Sequence, residues 1–590
     1  MQNIFVPKER IYESKELSLI RMSILSIAIG ILTGFSAIVF MYLISVLYNI
    51  FFFGKFSFTY RPEIPTPASP LGPLIILVPV LGAFILIWLI TTFVKNSKGH
   101  GVPYLINRIY HPSGKNDVKS GIIMGFSAAV SIGTGGSTGN ESPYIQVASS
   151  ISEGLSDIFK LSKRQRNILI AAGAAAGLGT CLNAPLAGVV FAIELILVTI
   201  NITSILPVTI ATIVSVYIYR IFFGVTPAFY LSSLSNFRYN LMPFPDLIMF
   251  LIFGFLVGVV SVFYIKLNKF IGNIFSLIKS RYLRHMLGMF IVGILLYLIV
   301  RNTGYYYIDG LGEYAVLEVL KQYLLNPWFL LLLVLLKILA TSLTVGSGSS
   351  GGVFTPLIFI GAVFGGFCFN ILNQINPDIN ISSYIFITAG IAGIISSTIG
   401  AFITSIVVVF ELFGNTHYIL PIILVSAIAF ATRYIFRTFS IYTMTLKEKG
   451  LIVPEGLQAA ILPAVNVTEI MDTSFKIINI NEISEIIIDI KKEDSPDYII
   501  VTDNENSFKG IINNSEISDG NEPKDIIDSN ICLFSDRTNI TELVSIFRER
   551  NLKYALIYSG IKNNDNCDIT GIISLKEITE LSKKEYFWLN

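Results

Sequence analysis

Charge is what this sequence has least of. Only 14% of its 590 residues are Asp, Glu, Lys or Arg, against ~25% in an ordinary soluble domain, while 53% are hydrophobic. That shortage argues against a wholly water-exposed protein. Cysteine is scarce too: Cys181, Cys368, Cys532 and Cys567 are scattered and form no CxxC pair, which argues against a disulfide framework or a zinc site. The segment up to Arg21 lacks a small-residue cleavage site and mixes Lys8, Arg10, Lys15 and Arg21 with Glu9, Glu13 and Glu16. It reads as a cytosolic lead-in and not as a signal peptide.

The charge that is present is unevenly divided. Residues 451–590 hold 24 acidic and 13 basic side chains, which leaves 16 acidic and 29 basic for residues 1–450. A sparsely charged, net basic body therefore precedes an acidic tail of ordinary composition. The near-neutral total of +2 gives nucleic-acid binding no support.

Apolar runs long enough for membrane helices of ~20 residues fill the body. They cover Leu19–Phe53, Leu71–Phe93, Thr203–Phe223, Leu247–Leu267, Met286–Val300, Trp328–Leu343 and Tyr418–Ile435. Basic clusters flank them: Lys163, Arg164 and Arg166; Lys266, Lys269, Lys279, Arg281 and Arg284; Arg433 and Arg437. These mark the cytosolic side, on which both termini are expected. The expected organisation is a lead-in over 1–16 and an all-α polytopic membrane body over 17–450. A linker over 451–464 and a small α/β cytosolic domain over 465–590 follow.

Other apolar stretches are interrupted by glycine: Ser131–Gly139, Ala171–Gly188, Gly346–Gly366 and Ala389–Gly400. They repeat. Gly133-Thr134-Gly135, Gly139 and Ser142-Pro143 recur at a constant offset of 213 as Gly346-Ser347-Gly348, Gly352 and Thr355-Pro356. Ala172-Gly173, Ala175, Ala184 and Glu194-Leu195 recur at an offset of 217 as Ala389-Gly390, Ala392, Ala401 and Glu411-Leu412. Two halves, about 17–225 and 245–450, thus carry one pattern of broken helices. In a membrane, freed backbone groups survive only where protein or an aqueous site satisfies them. Inverted repeats with broken helices at matching places point to a transport site between them.

Three broken segments end in glycine followed by proline: Gly99-His100-Gly101-Val102-Pro103, Gly139-Asn140-Glu141-Ser142-Pro143 and Gly351-Gly352-Val353-Phe354-Thr355-Pro356. Proline suits the first turn of a helix. Each segment therefore reads as a helix N-terminus inside the bilayer, with unpaired N–H groups and the positive end of the helix dipole. Several such ends converging make a site for a small anion that is bound without being trapped.

On these motifs the chain, from about residue 17 to 450, resembles the CLC chloride channel/transporter family. Gly99–Pro103 is similar to the family's G-S-G-I-P, Gly139–Pro143 to its G-K/R-E-G-P, and Gly352–Pro356 to its G-x-F-x-P. Asn183–Gly188 and Ser440-Ile441-Tyr442-Thr443 match further family stretches. The resemblance implies voltage-gated chloride or other small-anion transport by a homodimer in the cell membrane, with one pathway per subunit and no enzymatic activity. It gives the central anion site to His100, to the backbone N–H groups of Val353 and Phe354, and to the Tyr442 hydroxyl. It makes Glu141 the gate, flanked by Ser142, with its carboxylate standing in for the outer anion when charged.

The chain departs from the family pattern in places. His100 replaces a serine: a neutral imidazole donates one N–H, and a protonated one adds charge and pH sensitivity. Asn140 and Ser142 replace a basic residue and a glycine. Leu195 stands where exchanging members carry a proton-relaying glutamate, and Glu194 points about 100° away on a helix. On that ground the sequence predicts channel-like anion movement, with proton-coupled antiport through water as the alternative. Lys337, Glu194 and Glu411 read as structurally paired charges within the membrane.

The tail is duplicated as well. Gly510-Ile511-Ile512 recurs at an offset of 61 as Gly571-Ile572-Ile573, with strands upstream at Tyr498–Val501 and Tyr554–Tyr558. It resembles a tandem pair of CBS modules. The resemblance implies no required cofactor but allows an adenine nucleotide at Ser574 and Glu577. A rival of another class is an intramembrane serine protease built on Gly348-Ser349-Ser350-Gly351 with His417 or His100. It leaves both repeat offsets and Glu141 unexplained.

Overall fold

The computed structural model describes residues 3–5, 17–59, 64–94, 101–110, 118–197, 200–226, 229, 244–377, 381–414, 419–447, 467–482, 497–503, 508–514, 527–536, 538, 540, 543, 546–547, 552–563, 566–574 and 576–577. The chain divides into two compact units: Glu16–Ala459, and Met1–Lys15 together with Ala460–Asn590.

The larger unit is helical. In its first half run α1 (Leu19–Phe53), α2 (Leu77–Phe93), α3 (Gly101–Tyr110), α4 (Val118–Gly133), α5 (Glu141–Ile158), α6 (Lys163–Cys181), α7 (Pro185–Phe191) and α8 (Ile202–Phe223). In its second run α9 (Phe244–Ser276), α10 (Arg281–Thr303), α11 (Glu313–Leu320), α12 (Pro327–Ser347), α13 (Phe354–Ile375), α14 (Ser383–Ile399), α15 (Phe402–Phe413), α16 (Ile419–Ile435) and α17 (Ile441–Lys447). Seven helices among the described residues are long and apolar enough to cross a bilayer. Their outward faces are apolar, as at Ile24, Val39, Ile213 and Trp328, which suits lipid contact and not water.

Every interruption expected from glycine and proline is a real break. α4 stops at Gly133 and α5 starts at Glu141; α6 stops at Cys181 and α7 starts at Pro185; α12 stops at Ser347 and α13 starts at Phe354; α14 stops at Ile399 and α15 starts at Phe402. The halves also pack alike. A Cβ on Gly173 of α6 would lie 2.6 Å from the Ala148 carbonyl on α5, and one on Gly390 of α14 would lie 2.5 Å from the Gly361 carbonyl on α13. These positions are related by the two repeat offsets, so small residues bring equivalent helix pairs equally close.

The smaller unit holds two sheets. One contains β2 (Phe475–Asn479), β3 (Tyr498–Thr502) and β4 (Phe508–Asn513). The other, in spatial order, is β1 (Asn3–Phe5), β7 (Asn566–Ser574), β6 (Tyr554–Asn563) and β5 (Ile531–Ser535). Each copy pairs its first two strands parallel and its last two antiparallel. The segment leading into each copy crosses to the other: Asp472 bridges Ile572 on β7, and Asp528 bridges Ile511 on β4. The apolar sides of both sheets, including Ile500, Ile511, Leu533, Leu556 and Ile572, form one core. This is the small C-terminal α/β region that the sequence predicts, joined here by the first strand of the chain.

Candidate functional site

The site is built where the two halves meet. Gly139, just before α5, and Gly352, just before α13, donate their N–H groups to each other's carbonyls, both at 2.8 Å. These two glycines are equivalent in the repeat. Reciprocal bonding of equivalent residues is what a two-fold relation between the halves produces, and it brings two helix N-termini together. The Thr138 hydroxyl tightens the junction by donating to the Gly352 carbonyl at 2.8 Å.

A third N-terminus joins them. Gly101 opens α3 with a φ of +76°, a conformation natural to glycine, and donates its N–H to Oε1 of Gln146 on α5 at 3.0 Å. A Cβ at Gly101 would sit 3.8 Å from the Ser142 hydroxyl, and one at Gly352 would sit 3.1 Å from the Ser142 N–H nitrogen. α17 packs against α3 and α14 and carries Tyr442, which is buried and within electrostatic reach of Glu141 and Tyr264.

The Glu141 carboxylate lies in this junction, 2% exposed. It reaches from its own helix start to cap another. The N–H of Thr355 donates to Glu141 Oε1 at 2.6 Å, and the Thr355 hydroxyl donates to the same oxygen. Oε2 has no hydrogen-bond partner among the described residues. It faces Gly139 and Gly352, where added Cβ atoms would lie 2.0 and 2.7 Å away. The N–H groups of Val353 and Phe354, buried at the start of α13, are also without partners among the described residues. A carboxylate thus occupies a pocket of backbone and hydroxyl donors, a setting that accepts an anion of similar size.

The structure therefore gathers Glu141, Ser142, Val353 and Phe354, with Tyr442 within electrostatic reach of Glu141. His100 and His417 lie outside the described residues. Asn140 accepts from the Cys181 thiol through Oδ1 at 3.1 Å. The serines of the protease alternative have structural partners: the Ser349 hydroxyl pairs with that of Ser131 at 2.9 Å, and the Ser350 hydroxyl donates to the Met124 carbonyl at 3.4 Å. Thr355 occupies an unspecified position of its motif, so the motif assigns it no role. Its distance in sequence from Glu141 hides the contact, although its place in the repeat opposite Ser142 was a usable signal.

Glu194, Glu411 and Lys337, the other membrane charges singled out by the sequence, are hydrogen-bonded. Glu194 accepts from the N–H groups of Ile403 and Thr404 at 3.1 and 2.8 Å and from the Thr404 hydroxyl at 2.7 Å, capping α15. Glu411, its repeat equivalent, accepts from the N–H groups of Leu186 and Ala187 at 3.0 and 2.7 Å, capping α7. Lys337 donates to the carbonyls of Ile308 and Gly310 at 3.1 and 3.0 Å. Leu195 is buried in the apolar core, within a single π turn over Ala192–Ile196.

In the tail, the Glu577 carboxylate accepts from the Ser574 N–H at 2.6 Å and from the Ser574 hydroxyl at 2.5 Å. The Tyr498 hydroxyl, from the other copy, reaches Ser574 at 3.1 Å and Glu577 at 3.2 Å. Burial pushes the Tyr498 phenol well above its usual range, so it stays a donor.

A family model for the voltage gated chloride channel matches residues 82–434. The H(+)/Cl(-) exchange transporter ClcA of Vibrio cholerae is 30% identical over 365 residues, covering 59% of this chain and 74% of that protein. A slow cyanobacterial Cl-/H+ antiporter superposes with a TM-score of 0.62 at 23% identity, over 73% of this chain and 98% of its own. A eukaryotic CLC transporter superposes with a TM-score of 0.62 at 16% identity, over 95% of this chain and 98% of its own. These two structures share the fold.

Proposed function

This chain belongs to the voltage-gated chloride channel (CLC) family of anion transporters, and we propose that it exchanges chloride or another small anion for protons, with Glu141 as the gate. One observation carries the reading: the Glu141 carboxylate sits between the N-termini of α5 and α13 with Thr355 donating to it. A charged carboxylate competes with an anion for those donors. Protonation removes the charge, weakens the hold and frees the place, so one group links proton and anion movement. Val353, Phe354, Tyr442 and His100 would hold the next anion inward, and Ser142 would border the gate.

Leu195 alone argues for a channel. The relatives argue the other way, since ClcA is named an exchange transporter and the cyanobacterial protein an antiporter. Leucine cannot relay a proton, and Glu194 has both oxygens engaged at α15. Inward proton supply to Glu141 then runs through water. The body would work as a homodimer with both termini cytosolic. The tail would be a CBS-like pair, in which an adenine nucleotide at Ser574 and Glu577 must displace the Tyr498 hydroxyl.

The test is chloride release from proteoliposomes, with voltage clamped by a potassium ionophore. The parent should release chloride faster at low pH. Glu141→Gln, which imitates the protonated gate at nearly constant volume, should release it at least as fast with little pH dependence and no proton movement. A folded parent that moves no halide or nitrate would overturn the reading.

A further inference from the structure

We propose that Thr355 is a latch on the gate: a positioning residue whose hydroxyl sets how firmly the charged Glu141 carboxylate is held in the anion's place. The inference rests on the reading of Glu141 as the gate and adds a residue that G-x-F-x-P leaves unspecified. Thr355 presents two donors to one oxygen, its N–H at 2.6 Å and its hydroxyl, from the first turn of α13. Both side chains are buried, at 2% for Glu141 and 6% for Thr355. The backbone donor is fixed by the helix start whatever the side chain. The hydroxyl is supplied by this threonine alone.

Donors aimed at a carboxylate favour its charged form over its protonated form. A hydrogen bond to a charged group holds more strongly than one between neutral groups. Taking the hydroxyl away while leaving the N–H should make the gate easier to protonate and release. Other titratable groups also act on Glu141: Glu313 at the start of α11, Cys181 at the end of α6 and Tyr442 on α17. On α3, Arg108 is bonded to Glu153, farther along α5. None of these changes when Thr355 is substituted, so a shift is traceable to the hydroxyl.

The experiment measures chloride flux across a pH series in proteoliposomes of the full chain, for the parent, Thr355→Val, Thr355→Ala and Thr355→Ser. Valine is close in shape and lacks the hydroxyl; alanine reads the same loss should the valine variant fail to assemble. The midpoint of the pH profile should move up by about one unit in the valine or alanine variant, the loss of one charge-assisted hydrogen bond. Flux at neutral pH should rise several-fold, and the serine variant should keep the parent midpoint. An unchanged midpoint, a downward shift, or a serine variant that moves as far as valine overturns the latch. If the parent and Glu141→Gln behave as proposed while Thr355→Val leaves the midpoint unmoved, the latch fails and the gate stands. A parent without anion flux removes the gate itself.

Discussion

Gly139 and Gly352 are glycines for the sake of a side chain that belongs to neither. An added Cβ at Gly139 would lie 2.0 Å from Glu141 Oε2, well inside van der Waals contact, so Gly139→Ala leaves the carboxylate no room in its seat. The carboxylate is the movable partner. Gly139→Ala should therefore resemble Glu141→Gln, with chloride flux that is fast and weakly dependent on pH. A variant that folds yet keeps the parent's pH profile would show that the carboxylate does not use that seat. At this scale the sequence was legible where one residue type has one use: glycine before proline marked the helix starts, and Glu141 stood out as an acid at one of them. It was illegible where the partner is distant. Nothing around Thr355 says that its hydroxyl meets a carboxylate 214 positions earlier.

Glu194 and Glu411 form a reciprocal pair of caps, each near the end of one broken helix and each closing the N-terminus of its counterpart in the other half. Such ends carry unpaired N–H groups and a positive dipole, and a carboxylate answers both. Glu194 is buried and meets three donors, while Glu411 is half-buried and meets two. Loss of a cap costs ~0.5–2 kcal/mol, and a buried donor left unsatisfied costs ~1–3 kcal/mol. Glu194→Ala should accordingly lower the melting temperature in detergent more than Glu411→Ala does; the reverse order would contradict the capping account. Because both oxygens of Glu194 are occupied, Glu194→Gln should leave the proton-to-chloride ratio near that of the parent, and a loss of coupling would mark Glu194 as a relay after all. The second repeat offset announced that these glutamates are equivalent. Which helix each one closes depends on the crossing of the halves, which no local pattern reveals. By contrast, helix starts such as those at Ser162, Ser280, Asn326 and Ser382, whose side chains accept from the first turn, are written locally.

Across the whole molecule, duplication is the rule that made the fold readable. The body repeats at two nearly equal offsets and the tail at a shorter one, so matching motifs mark the halves without reference to any contact. The tail adds one long-range element with no local signature: Asn3–Phe5 pairs along β7 and covers its outer edge. Deleting residues 1–15 should expose that edge and speed proteolysis of the 467–577 region; an unchanged digestion pattern would mean that the strand protects nothing. The central claim, that one buried carboxylate exchanges its place with an anion and carries a proton as it does so, is tested most directly by driving protons with chloride. Proteoliposomes holding the full chain are given a chloride gradient, with no proton gradient to oppose it, and pH is recorded. The account predicts protons moving uphill at a fixed ratio to chloride in the parent and none in Glu141→Gln. Chloride that runs down its gradient in the parent while the pH stays still would contradict it and make the protein a channel.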